Sequence, residues 1–215
     1  MIRKGWYPMK KKHMIFDLDG TLSDTAKATS VAFDKMSKEK GLPEVTYDKI
    51  IAAMGLPDLE FYENVYPSLS KEKLVEIFKE ADALEEEMII TLGEEILFPD
   101  VKDMLINLKK KNCSLYIAST GSKSHVNATL TASGIKDIFT SVSCGEPEKI
   151  SMVKKIIGNS DKNEWVMVGD MYKDSEAARK NSILALGAGF GYLSAVDQKL
   201  FDSILWKPED IYHYL

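Results

Sequence analysis

Two aspartates stand two residues apart, Asp17 and Asp19, where the apolar run His13–Leu18 (HMIFDL) gives way to Gly20. In a regular strand, residues two apart point to the same face. One carboxylate could then attack an electrophilic centre while the other manages the proton of the leaving group. An aspartate suits the first task because it is ionised at neutral pH. The second task requires the pKa of Asp19 to rise, through burial or neighbouring carboxylates. A second constellation, Ser119, Thr120 and Gly121, closes the apolar run Ser114–Ala118 and offers a hydroxyl and loop amides to an anion. A third, Asp170 with Asp174 close behind, follows the apolar run Trp165–Val168 and Gly169.

Carboxylates gathered at neighbouring strand ends repel one another, by roughly 4 kcal/mol for a pair about 4 Å apart at an effective dielectric of about 20. A hard divalent cation with oxygen ligands offsets that repulsion, and magnesium is the common one in phosphate chemistry.

The elements that must position these residues are legible in the hydrophobic pattern. Apolar runs over 13–18, 114–118, 139–143, 165–168 and 183–186, with a weaker one over 202–205, read as strands. Between them lie helical patterns: one begins near Pro99 with Val101, Met104, Leu105 and Leu108 on one face, one ends near Ser133 before Gly134, and others cover 149–157 and 174–181. A short helix follows Pro208. Strand–helix alternation at this spacing implies an α/β fold: a Rossmann-like parallel sheet with helices on both faces, whose ligands sit beyond the carboxyl ends of the strands.

Residues 22–95 break the alternation, being helical throughout. Asp24 is a plausible cap for a helix that Gly41 stops. Thr46 caps a second, broken by Gly55 and Pro57. A short helix over 58–66 follows, and Ser70 caps a long one to Leu92, with Leu74, Ile77, Phe78, Ala81, Leu84 and Met88 at helical spacing. Phe61, Tyr62 and Tyr66 read as core of this block, and Gly55 as part of a loop facing the site. The expected organisation is a core of residues 1–21 and 96–215 with a small helical cap inserted at 22–95.

Bulk properties exclude several classes. The 215 residues carry a net charge of −5, with 45% apolar residues. That composition supports a packed core and argues against a nucleic-acid-binding surface, which is normally basic. The longest weakly apolar stretch, 183–196, is interrupted by three glycines and a serine and is too short to span a bilayer. The N-terminus (MIRKGWYPMKKKH) lacks the apolar stretch of a signal peptide and reads as a short extension. Cys113 and Cys144 have no metal or disulfide spacing, Cys113 reads as a buried strand residue, and a cytoplasmic location is expected. His13, His125 and His213 show no obvious partner and read as structural or exposed.

Asp17-Leu18-Asp19-Gly20-Thr21 resembles the first motif of the haloacid dehalogenase-like phosphatases, Ser119 their second-motif hydroxyl, and Gly169-Asp170 with Asp174 their acidic fourth motif, in the family's order from about residue 13 to 206. The resemblance implies Asp17 as nucleophile and metal ligand. Asp19 would be the general acid/base, with its backbone carbonyl on the metal. Asp170 and Asp174 would complete the Mg2+ site, and Ser119, Thr120 and Gly121 would bind phosphate. It implies a motif lysine at the start of the helix after the third core strand, the place of Lys149. Ile150 stands where many relatives have proline, and Lys123, Lys154 and Lys155 are competitors. The helical insert resembles the family's small cap.

The implied activity is hydrolysis of a small phosphorylated metabolite through a phospho-aspartyl intermediate. A β-phosphoglucomutase-like phosphosugar mutase is the second reading, against which Thr21 leans, and inorganic pyrophosphate is a related substrate. A binding protein on an inactive scaffold would be expected to have lost Asp17, Asp19 or Asp170, and all three are present.

Overall fold

The computed structural model describes residues 10–56 and 58–215. The first nine residues of the basic extension and the helix break read for Pro57 lie outside the described residues.

Six strands form one parallel sheet: β1 (His13–Phe16), β2 (Ser114–Ser119), β3 (Ser141–Cys144), β4 (Trp165–Gly169), β5 (Leu184–Ala188) and β6 (Ser203–Leu205), in the order β3-β2-β1-β4-β5-β6. β1 is therefore central, with β2 on one side and β4 on the other. The chain winds outward in both directions from it, which opens a crevice at the carboxyl ends of β1, β2 and β4. Strands buried on both faces need apolar residues at consecutive positions. Met14 and Phe16 pack on one face with Leu115, Ile117, Val166 and Leu186, and Ile15 packs on the other with Ala118, Met167 and Ala185.

The first face is covered by α5 (Val101–Lys110) and α6 (Lys123–Ala132), the second by α7 (Lys149–Ile157) and α8 (Tyr172–Asn181). The sheet is thus the predicted α/β arrangement, with small shifts. β3 starts two residues later than expected because Lys136–Ile138 forms a 3-10 turn before it. Pro99 precedes α5 rather than opening it, since Asp100 takes a left-handed φ of 64° and the helix begins at Val101. Cys113 is buried but lies just before β2.

Between β1 and α5 run α1 (Thr25–Lys40), α2 (Tyr47–Ala53), α3 (Asp58–Val65) and α4 (Lys71–Leu92). They share an apolar cluster of their own, in which Phe33, Met36, Ile50, Tyr62, Tyr66, Leu74 and Ile77 are buried and Phe61 packs against them. Thr46 and Ser70 cap α2 and α4 through their side-chain oxygens, each accepting from the third residue beyond at 3.4 Å. Asp24 does not cap α1. Its backbone (φ −88°, ψ 65°) is not extended, and its Oδ1 instead accepts hydrogen bonds from the hydroxyls of Tyr47 and Tyr192, the latter at 2.6 Å. The entering and leaving segments of this helical block run side by side, with Asp24 N–H donating to Ile96 O (2.7 Å) and Phe98 N–H to Leu22 O (3.1 Å). No helix among the described residues is long and apolar enough to cross a membrane.

Candidate active site

The amide of Asp17 donates to Val168 O (2.9 Å), so β1 pairs with β4 up to the reactive residue itself. The chain then turns sharply. The amides of Thr21, Leu22 and Ser23 all point at Leu18 O, and Gly20 takes a φ of +78°. A side chain on Gly20 is excluded on a second count, because its Cβ would fall 2.5 Å from Asp170 Oδ2. Leu18 turns into the apolar core, while Asp17 and Asp19 both line a cleft of about 520 Å³.

β4 delivers Asp170, whose Oδ1 accepts from Thr21 Oγ1 at 2.6 Å. Gly169 before it is a hole that Asp174 fills, since a Cβ there would sit 2.1 Å from Asp174 Cγ. Asp174 lies inside the first turn of α8, where its Oδ2 accepts the Met171 amide (3.0 Å). Lys149, the first residue of α7, is buried and bridges the group: its Nζ is 2.9 Å from Asp17 Oδ2 and 2.6 Å from Asp174 Oδ1. Among the lysines left open by the sequence, Lys123, Lys154 and Lys155 are exposed on helix surfaces, and Lys155 pairs with Glu146. β2 ends at Ser119, whose Oγ accepts from the Gly121 amide (3.1 Å), and Ser119, Thr120 and Gly121 form one side of the cleft. Asp17, Asp19, Ser119, Thr120, Gly121, Lys149 and Asp170 therefore all line one cleft, with Asp174 fully buried behind them.

His125 was read as partnerless, and that reading is overturned. It sits one turn into α6, beneath the Ser122 cap, and its Nε2 lies 2.8 Å from Asp19 Oδ1. The signal was there in part. Ser122 is a cap-type residue three before His125, and its Oγ accepts the His125 amide at 3.2 Å, fixing that residue in the first turn of α6. Thr25, Asp82 and Glu85 from the helical block complete this side of the cleft, with Thr29 Oγ1 donating to Glu85 Oε1 (2.9 Å).

Burial raises the pKa of Asp17 to about 7, with Lys149 opposing and Asp174 and Asp19 reinforcing the shift. Burial likewise raises Asp170 well above the ordinary carboxylate range, helped by Asp17 and Asp174. Lys149 is desolvated, yet the two aspartates it bridges keep it charged and raise its pKa. Asp19 departs from expectation. Burial favours its neutral form, but the adjacent His125 outweighs burial and holds the carboxyl below its usual range. Burial disfavours charge on His125 too, and Asp19, then Glu85, overcome this and raise its pKa to about 10. Both shifts favour the imidazolium–carboxylate form of the pair over a protonated aspartic acid.

Asp17, Asp170 and Asp174 each offer a carboxylate oxygen, all within 4.8 Å of one another. One lysine cannot neutralise three buried carboxylates, and hard oxygen donors at this spacing fit a divalent cation.

Comparison with known proteins agrees with this geometry. A family model described as haloacid dehalogenase-like hydrolase matches residues 14–188. A phosphoglycolate phosphatase of Aquifex aeolicus is 26% identical over 92% of this chain and 93% of its own. Pyrophosphatase PpaX of Oceanobacillus iheyensis is 26% identical over 81% of this chain and 82% of its own. In three dimensions the chain is similar to a haloacid dehalogenase-like family hydrolase from Streptococcus pneumoniae (TM-score 0.79, 24% identity, 95% and 98% of the two chains). It is also similar to a β-phosphoglucomutase from Clostridium difficile (TM-score 0.70, 21% identity, 95% and 96%).

Proposed function

The chain belongs to the haloacid dehalogenase-like hydrolases, and from that premise we propose that it is a magnesium-dependent phosphatase of small phosphate monoesters acting through a phospho-aspartyl intermediate. The observation that carries this reading is the meeting of Asp17, Asp170, Asp174 and Lys149 at the carboxyl ends of β1 and β4 and the start of α7.

Asp17 and Asp170, with the Asp19 backbone carbonyl, would hold the ion, which when bound neutralises the carboxylates and draws charge from the phosphate. Asp174, whose oxygens also meet Lys149 and the Met171 amide, would complete the acidic set around the ion and fix Lys149 beside the nucleophile. Asp17 attacks phosphorus, the phosphorus–oxygen ester bond breaks, and the departing alkoxide takes a proton by way of Asp19. That proton is supplied by the Asp19–His125 pair, whose Oδ1 and Nε2 lie 2.8 Å apart. Water then attacks the acyl phosphate while Asp19, again ionised, accepts its proton. Lys149 and the Ser119–Gly121 loop stabilise charge on the phosphoryl oxygens.

Residues 22–95 act as a cap domain on a core of residues 1–21 and 96–215, limiting substrates to compact ones and excluding bulk water. The Gly55 loop is its edge. A Cβ at Gly55 would fall 2.5 Å from Met171 Sδ, and Lys173 Nζ donates to Gly55 O (3.0 Å). The relative named a pyrophosphatase makes pyrophosphate the main alternative substrate. Phosphate release from p-nitrophenyl phosphate, with and without magnesium, tests the reading. Turnover without added divalent ion, or an Asp17→Asn variant that still acquires the mass of a phosphoryl group, would refute it.

A further inference from the structure

The cleft has a floor at the strand ends and a wall from the helical block, and the turn between β1 and α1 joins them. That turn is gripped from outside by the loop after β5. A Cβ on Gly191 would fall 1.9 Å from Gly20 O, so only glycine lets the two backbones meet. Tyr192 comes next, and its amide donates to Gly20 O (3.0 Å). Its ring lies on Gly20, where a Cβ would fall 2.6 Å from Tyr192 Cδ2, and it meets the Phe98 ring nearly edge-on at 5.6 Å. The hydroxyl reaches into the helical block. It accepts from the Ala26 amide (2.9 Å), one of the first-turn N–H groups that have no partner within α1, and donates to Asp24 Oδ1 (2.6 Å). Tyr47, the first residue of α2, donates to the same oxygen. The start of α1 is thus capped by a side chain 166 residues away, and the buried Asp24 carboxylate ties that side chain to α2.

We propose that Tyr192 is a positioning residue of the reaction, which fixes Asp19 and the seat of the helical block as one unit. The inference rests on the phosphatase reading above. Gly20, held by the amide and ring of Tyr192, adjoins Asp19. Thr25, at the start of the helix that the hydroxyl caps, lines the cleft with Asp19. A proton donor works only within hydrogen-bond reach of the leaving oxygen. An alkyl ester needs that donor, because an alkoxide is a poor leaving group. The p-nitrophenolate ion leaves without a proton. The two ester types therefore separate the placement of Asp19 from that of Asp17.

Steady-state kinetics of the full chain with magnesium test this on glycerol 1-phosphate and p-nitrophenyl phosphate. The quantity read is kcat/KM, which covers events through phosphoryl transfer to Asp17. Tyr192→Phe keeps the ring and removes the hydroxyl. It is expected to lower kcat/KM about tenfold for the alkyl ester, the scale of one lost hydrogen bond, and by no more than about twofold for the aryl ester. Tyr47→Phe leaves α1 capped and should move the ratio of the two esters the same way by less, about threefold. It decides the matter if Tyr192→Phe fails to fold. The ratio does not depend on the fraction of active enzyme, so a merely structural loss leaves it constant. In an Asp19→Asn background Tyr192→Phe should add little to the alkyl-ester loss, and a further full tenfold would place its action elsewhere. A ratio that neither variant moves overturns the positioning role and leaves the phosphatase reading standing. So does a parent that cleaves only the aryl ester, since no proton delivery then depends on Asp19. No magnesium-dependent release from either ester removes both readings.

Discussion

The two halves of the cleft are built on different principles. At the strand ends, Asp17, Asp170, Asp174 and Lys149 are buried, and each is held by a neighbouring side chain. Lys149 ties Asp17 to Asp174, Thr21 holds Asp170, and the Met171 amide holds the far side of Asp174. On the helical wall the charges are partly open to solvent: Asp82 is exposed and acts on His125 only through its charge, and Glu85 is half-buried. A rigid, crowded floor suits a reaction whose geometry must not vary, because a misplacement of about 1 Å can cost about a hundredfold in rate. An open wall of mixed apolar and acidic side chains suits contact with the part of a substrate that projects from the floor. The lesson is that chemistry and selectivity are separable here, and substitutions should divide along the same line.

The sharpest break falls on the nucleophile. Asp17→Asn removes the attacking oxygen, and turnover of p-nitrophenyl phosphate is expected to fall by about four powers of ten or more, as when other covalent catalysts lose their nucleophile. Chelation of the divalent ion should abolish turnover as completely. A residual rate within about tenfold of the parent would show that the floor is not the reactive end.

Lys149→Ala tests the floor's mutual support. It leaves Asp17 and Asp174 buried without their cation, a loss of about 3–5 kcal/mol by the usual cost of breaking a buried pair. Asp82→Ala on the wall should change stability by no more than about 0.5 kcal/mol. Urea unfolding of the two variants side by side measures the contrast, and equal losses would erase the distinction between the halves.

His125 lies on the boundary and sharpens it. His125→Ala should lower kcat by about a hundredfold, the usual scale of one proton-handling group, with KM little changed. His125→Gln, which keeps a donor near Asp19, should recover part of the loss. If Asp19→Asn is made first, removing His125 should add little, since the two act as one unit. A change in KM alone would move His125 from the floor's machinery to the wall's.

How much of this was legible in the sequence follows the same division. Asp17, Asp19, Ser119 and Asp170 announced themselves because each ends an apolar run, and in a parallel sheet every such end faces one crevice. Lys149 was legible from its place at the start of the helix after the third core strand, with Lys123, Lys154 and Lys155 in competition. What sets it apart from those three is its burial at the first position of α7, a consequence of packing. His125 and Asp24 were misread for a common reason. The partner of His125 is 106 residues away, and that of Asp24, Tyr192, is 168 away. Local patterns report what a side chain can do for its own helix, and both residues serve another part of the chain. The wall was least legible of all, since Asp82 and Glu85 look like any solvated helix face until α4 is laid across the cleft.

The crowding of the floor can also be tested directly, through pH. Burial lifts Asp17 from an ordinary value of 3.8 to about 7. The folded protein therefore holds this proton more tightly than the unfolded chain does. The resulting stability is complete below 3.8 and is lost as pH climbs through about 7. In metal-free protein, the thermal midpoint of the parent measured against Asp17→Asn should accordingly fall between about pH 5 and about pH 8, because asparagine never ionises. Magnesium competes with that proton for the same oxygen, so its stabilisation of the parent should be larger at about pH 8 than at about pH 6. A magnesium-induced shift that is the same at both pH values would mean that the cation does not engage Asp17. The crowding of carboxylates at the strand ends would then have to be relieved by Lys149 alone.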